Sequence, residues 1–256
     1  CKKIVADFNG GDQTSDGGLG LLREVDLKIG LIDAINEAIY DTRCPWLIVH
    51  AQRTLLWQRI FAIVAGYEDL NDHQTLRNDA MLQALTDRPP KAGQKREDPL
   101  SSPPTLCRLE NRVTRGDLAR MAGVLVEQFV SSHATPPEQI VLDFDATDDP
   151  VHGKQEGRFF HGYYDQYCFL PLYVFCGDQL LAAYLRPSNI DAAKHSRAIL
   201  KLLVKRLRQA WPNVRIIFRG DSGFFRWRLL RWCDRNDVGY IVGLAKNVVL
   251  KRMARR

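Results

Sequence analysis

The six cysteines of this 256-residue chain form no Cys-x-x-Cys pair, and no cysteines stand at finger spacing from His152 and His161. That argues against a structural zinc site and for reduced, cytosolic-type thiols partly in the core. No Gly-x-Gly-x-x-Gly and no phosphate-loop lysine occur, so the Gly10–Gly20 stretch reads as a turn-rich connection and not a nucleotide site. No run approaches the roughly 18 apolar residues of a membrane span. Cys168 to Ala183 comes closest and is broken by Asp178 and Gln179. No long apolar stretch follows Lys2 and Lys3, so no secretory leader is read there. Disorder as the main state is excluded by 45% hydrophobic residues.

Charge is present, and unevenly placed. Residues 194–256 hold seventeen lysines and arginines against three acids, whereas residues 1–193 hold nineteen against twenty-seven. A segment this basic favours a polyanionic partner, nucleic acid first; a solvated surface balancing the acidic part is the plainer alternative.

The hydrophobic period divides the chain near residue 136. Residues 1–8 read as a short strand. Apolar stripes at Leu21, Leu22, Val25 and Ile29, then at Leu31, Ile35, Ala38 and Ile39, predict helices, as do residues 47–66, 74–85, 105–114 and 115–130. The Pro-, Lys- and Ser-rich stretch 88–104 reads as a linker or exposed loop. Residues 1–135 are thus a mostly helical region. Residues 136–256 change period: strands at 139–145, 167–175, 180–185, 214–218 and 238–244, helices at 191–209 and 225–236, and a tight turn at Gly177-Asp178. A hairpin followed by αβ units predicts a mixed sheet with helices on its faces.

Two acidic positions stand out. Asp143 and Asp145 alternate with Phe144, so both point to one face of their strand. Asp221 follows the fourth strand directly, at the end where open α/β sheets place ligands, and Gly220 and Gly223 leave the backbone free to turn around it. With the first and fourth strands adjacent, Asp145 and Asp221 meet. Converging carboxylates suit Mg²⁺, and paired ions can drive phosphodiester transfer without a side-chain base; the plainer alternative is that Asp143 or Asp145 caps a turn and Asp221 starts a helix. His152 stands either as a contact to DNA or metal-bound water or as a surface-turn histidine. Arg228, Arg231 and Arg235 share a helix face and are candidate phosphate contacts; Phe225, Leu229 and Trp232 are expected in the core. Lys201, Lys205 and Arg208 give the preceding helix a basic side.

Several stretches resemble bacterial insertion-sequence transposases of the DDE type. Val141-Leu-Asp-Phe-Asp-Ala-Thr-Asp-Asp-Pro-Val-His-Gly-Lys-Gln-Glu-Gly157 is similar to their first-aspartate motif, and Arg219-Gly-Asp-Ser-Gly-Phe224 to the second. Asp69-Leu-Asn-Asp-His-Gln-Thr-Leu-Arg77 and Pro104-Thr-Leu-Cys-Arg-Leu-Glu-Asn-Arg112 are similar to their helical region. The resemblance spans about residues 15–245. It implies a ribonuclease H-like catalytic core, Mg²⁺ (or Mn²⁺), and cut-and-paste movement of an element with terminal inverted repeats. It further implies a homo-oligomer on DNA in a bacterial cytoplasm. The first catalytic aspartate maps to Asp145, two before Thr147, and the second to Asp221. The family's third ligand is a glutamate on a helix beyond the fifth strand. No acidic residue follows Asp237 here; the third ligand and its helix are expected to be missing, as from a truncated chain, a reading that the initial Cys1 in place of Met also prompts.

Overall fold

A computed structural model describes residues 14–86, 99–245 and 252–253. The strand expected at residues 1–8 lies outside these. The chain divides into two units, up to Val124 and from Leu125. That division lies before the residue 136 break, inside a helix.

The first unit is helical: α1 (Leu19–Ile29), α2 (Leu31–Ala38), α3 (Gln52–Val64), α4 (His73–Leu76), α5 (Ala80–Leu85), α6 (Pro103–Arg112) and the start of α7 (Arg115–Ser131). Its core joins Ile32, Leu55, Trp57, Leu82, Leu100 and Leu106. The stripe expected to bury α1 faces outward instead: Leu21 and Val25 are exposed, and Leu19 and Asp26 are the buried residues. The reason is Asp26, whose carboxylate accepts from the Ile32 N–H at 2.9 Å and Trp57 Nε1 at 3.1 Å, and so turns that face inward. Asp79 interrupts the helix expected over 74–85. Its side chain accepts from the Leu82 N–H at 2.9 Å and starts α5 afresh. Thr114 and Asp117 hydrogen-bond reciprocally, which fixes the α6–α7 break. Two corrections concern the linker. Helix α6 already begins at Pro103, a residue tolerated at a first helical position. Leu100 and Ser101 are fully buried, not exposed.

Ser101 belongs to a buried polar cluster. The Gln58 side-chain oxygen accepts from the Ser101 N–H (3.0 Å) and hydroxyl (2.6 Å). Its nitrogen donates to the Ser101 carbonyl at 3.0 Å and lies 3.2 Å from His73 Nδ1. With the amide so oriented, Nδ1 must accept, which leaves the proton on Nε2. Burial, then the nearby Arg59 charge, push His73 down to about 4.

The second unit holds the sheet. Its strands are β1 (Gln139–Ala146), β2 (Asp149–Pro150), β3 (Phe159–His161), β4 (Gln166–Phe169), β5 (Leu172–Cys176), β6 (Gln179–Tyr184), β7 (Arg215–Gly220) and β8 (Val238–Val242), with helices α8 (Ser196–Ala210) and α9 (Trp227–Arg235). The main sheet runs β6-β5-β1-β7-β8. Strand β1 is antiparallel to β5 and parallel to β7, and β7 is parallel to β8. This mixed order is that of a ribonuclease H-like sheet. Ile140, Leu142 and Phe144 alternate into the core, while the continuous apolar run Ile216-Ile-Phe218 marks β7 as interior. The last turns of α7 add Val126 and Phe129 to this core. Gly177, at φ +58, supplies the left-handed residue of the β5–β6 hairpin turn.

The strand expected over 167–175 is two strands. Pro171 has no N–H to donate, and the Leu170 N–H turns aside to the Arg186 carbonyl at 2.8 Å. β4 therefore leaves the main sheet and forms a second one, in the order β2-β4-β3.

Candidate active site

The register between β1 and β7 decides the geometry. Phe144 lies opposite Gly220. One residue further, Asp145 and Asp221 stand at the carboxyl ends of adjacent parallel strands, 76 residues apart in sequence. Both are exposed. The Asp145 carboxylate makes no hydrogen bond or ion pair among the described residues. Asp221 caps the turn Ser222–Phe224, its Oδ1 accepting from the Gly223 N–H at 2.8 Å.

Asp143, on the same face of β1, is committed elsewhere. The Arg219 guanidinium grips both its oxygens, and that carboxylate raises the Arg219 pKa. The pair leaves Asp145 as the unengaged carboxylate of the strand.

The glycines around Asp221 act by absence of volume, not by conformational freedom, since neither Gly220 nor Gly223 has a positive φ. A Cβ on Gly223 would sit 2.9 Å from Asp221 Oδ1, and one on Gly220 3.1 Å from Phe224. A Cβ on Gly243, after β8, would sit 3.0 Å from the Ser222 nitrogen. Three close approaches thus hold the Asp221 turn against the sheet end.

Three residues near Asp145 have no signal in sequence periodicity. The Tyr164 hydroxyl donates to the Ala146 carbonyl at 3.4 Å. Burial, with the charges of Asp148 and Asp145, holds this phenol above its usual range. Gln166 donates to the Asp148 carboxylate. These contacts arise because the small sheet folds back on the end of β1; only the Tyr163-Tyr164 pair hints at it.

The other expected residues are distributed as follows. His152 is exposed after β2 and has no hydrogen-bond partner among the described residues. Arg228, Arg231 and Arg235 are exposed along α9, opposite buried Leu229, Leu230 and Cys233, and likewise unpartnered among the described residues. Of the aromatics expected inside, Trp232 packs partly buried on the core, but Phe225 is exposed, as is Trp227. Lys201 and Lys205 are exposed, but Arg208 is not part of a free basic face. It donates to the Asn236 and Asp237 carbonyls, each at 2.7 Å, closing the C-terminal end of α9.

The chain belongs to the DDE transposases: the family described as "Transposase DDE domain group 1" matches residues 1–256. Members of this family generally use a divalent metal. No curated protein matches the chain. Among solved structures, a piggyBac transposase synaptic complex with hairpin DNA is similar at 12% identity and TM-score 0.45, over 88% of this chain and 51% of that one. A Drosophila P element transposase strand transfer complex is similar at 12% identity and TM-score 0.29, over 66% of this chain and 45% of that one. The chain therefore spans about half the length of these two transposases, and likenesses this distant assign it nothing further.

The donor set fits a hard divalent cation. It offers two solvated carboxylates, one with both oxygens free and one with Oδ1 held by a backbone N–H, and Mg²⁺ typically takes one or two carboxylates while keeping several waters. No group of three His, Cys, Asp or Glu side chains assembles among the described residues.

Proposed function

We propose that the chain carries the DNA-cleaving and strand-joining core of a bacterial insertion-sequence transposase, acting by cut-and-paste on terminal inverted repeats in the cytoplasm, at the nucleoid. The adjacency of Asp145 and Asp221 at the ends of parallel strands carries this reading. Mg²⁺ (or Mn²⁺) held there would polarise the scissile phosphate and lower the pKa of a bound water or 3′-hydroxyl. The chain's own groups prepare that position. The Gly223 N–H orients the Asp221 carboxylate, and the Arg219–Asp143 pair removes one negative charge from a face that must accept a phosphate. Arg228, Arg231 and Arg235 supply uncommitted cations for the backbone. Two copies acting together would bring two element ends to one target.

The test is excision and joining of a marked element bearing the repeats by the protein from its source locus. Wild type should excise, and Asp145→Ala and Asp221→Ala should each abolish it. Activity retained in either variant would overturn the assignment. Specific gel shifts with no cleavage by any form would instead favour a repeat-binding protein without catalysis. Cleavage without end preference or joining would favour a metal-dependent nuclease.

A further inference from the structure

The small β2-β4-β3 sheet starts four residues after Asp145 and carries an aromatic face that the site above does not use. Phe160 lies opposite Tyr167 in the β3–β4 register, with ring centroids 5.6 Å apart at 71°. Arg158, two residues before Phe160 and so on the same face, sets its guanidinium 4.4 Å over the Tyr167 ring. Both rings stay about half exposed, at 53% and 50%, and Tyr163 at the following turn is 85% exposed. Cys168, pointing the other way, is fully buried and roots the sheet.

This face is held firmly. The Val151 N–H donates to the Tyr167 carbonyl at 3.0 Å, and the Ser188 hydroxyl to the Phe159 carbonyl at 2.8 Å. Tyr164 ties the β3–β4 turn back to Ala146, next to Asp145. Arg158 thus lies over the Tyr167 ring and Phe160 meets that ring edge to face, a flat-group cluster open to solvent on one side, next to the Asp145 end of β1.

We propose that Arg158, Phe160 and Tyr167, with Tyr163 at the rim, stack one unpaired nucleotide of the DNA strand whose phosphate lies at Asp145. Exposed rings beside a guanidinium are the means by which proteins hold unstacked bases irrespective of sequence, and Arg158 matches a phosphate in charge. The local charge favours a base over a duplex backbone. Residues 149–168 hold Asp149, Glu156 and Asp165 against Lys154 and Arg158, a poor track for a run of phosphates. The inference rests on the DNA reading above, and its test separates the two.

The 256-residue chain is titrated, without divalent metal, with a mixed-sequence blunt duplex and with the same duplex bearing a short single-stranded tail that contains 2-aminopurine. Wild type should prefer the tailed duplex by about tenfold and quench the probe on binding. Phe160→Ala and Tyr167→Ala should bring tailed affinity down to that of the blunt duplex without altering blunt binding. Phe160→Trp, which keeps a stacking ring, should retain the preference and shows that replacement at this site leaves the fold intact. Equal binding of both duplexes, unchanged in the variants, would overturn the stacking role and leave DNA binding standing. No binding to either DNA would overturn both readings. A change in sedimentation of the variants with DNA binding unaltered would assign the face to contact between copies and overturn the proposal.

Discussion

Lowering the pH from 7 to 5 should loosen the first unit, and His73 sets by how much. Its ring is fully buried against the Gln58 side chain, and its pKa is near 4 against an ordinary 6.5. A depressed histidine binds its proton in the unfolded chain first. Stability is therefore whole above about pH 6.5, falls as the pH drops below it, and stops falling below about 4. At pH 5 the unfolded histidine is almost fully protonated and the folded one about one-tenth so; the loss comes to about 2 kcal/mol, a factor of about 30 in local opening. Hydrogen exchange of α3 and α4 amides at the two pH values, corrected for intrinsic exchange, measures this. His73→Gln should remove most of the difference. An identical pH response in wild type and variant would mean that the ring titrates alike in both states and that its burial does not set the loss.

Other expectations concern the site and its scaffold. Gly223→Ala places a methyl 2.9 Å from Asp221 Oδ1; excision should fall by about tenfold or more, as expected when a positioned carboxylate is displaced, while near-ultraviolet circular dichroism stays native. Replacing Arg228, Arg231 and Arg235 together by alanine should reduce the slope of log affinity against log salt by about 2.7 if all three meet phosphates; an unchanged slope would place DNA elsewhere. Leu142→Ala, at a fully buried position in β1, should cost about 2–5 kcal/mol in denaturant unfolding, and a loss below about 1 kcal/mol would contradict the packing described.

Much of the second unit is legible in the residues because its signals are local and strong. The run Ile216-Ile-Phe218 announces an interior parallel strand, and the alternation through Phe144 puts Asp143 and Asp145 on one face. What separates those two aspartates, the grip of Arg219 on Asp143, is a cross-strand contact with no sequence pattern. The glycines of Arg219-Gly-Asp-Ser-Gly-Phe224 signal a special turn but not its cause: crowding around Asp221 and not positive φ. Aromatic residues continue through Leu170-Pro171, so one strand is read where the chain changes sheets. In the first unit, periodicity misplaces the buried face of α1 because a paired carboxylate, Asp26, outweighs four aliphatic residues there. The stretches similar to the transposase helical region serve that unit's interior, with His73 in the Gln58–Ser101 cluster and Arg112 donating to Gln52 at 2.6 Å.

Asp145 and Asp221 should form one cation site from which Asp143 is excluded. Mn²⁺ binding to the purified chain, followed by the loss of its free-ion paramagnetic resonance signal, tests this directly without requiring DNA or turnover. Wild type and Asp143→Asn should bind alike, and Asp145→Asn and Asp221→Asn should each weaken binding at least tenfold. Undiminished binding in either of the last two variants, or loss on replacing Asp143 alone, would place the cation elsewhere than between Asp145 and Asp221.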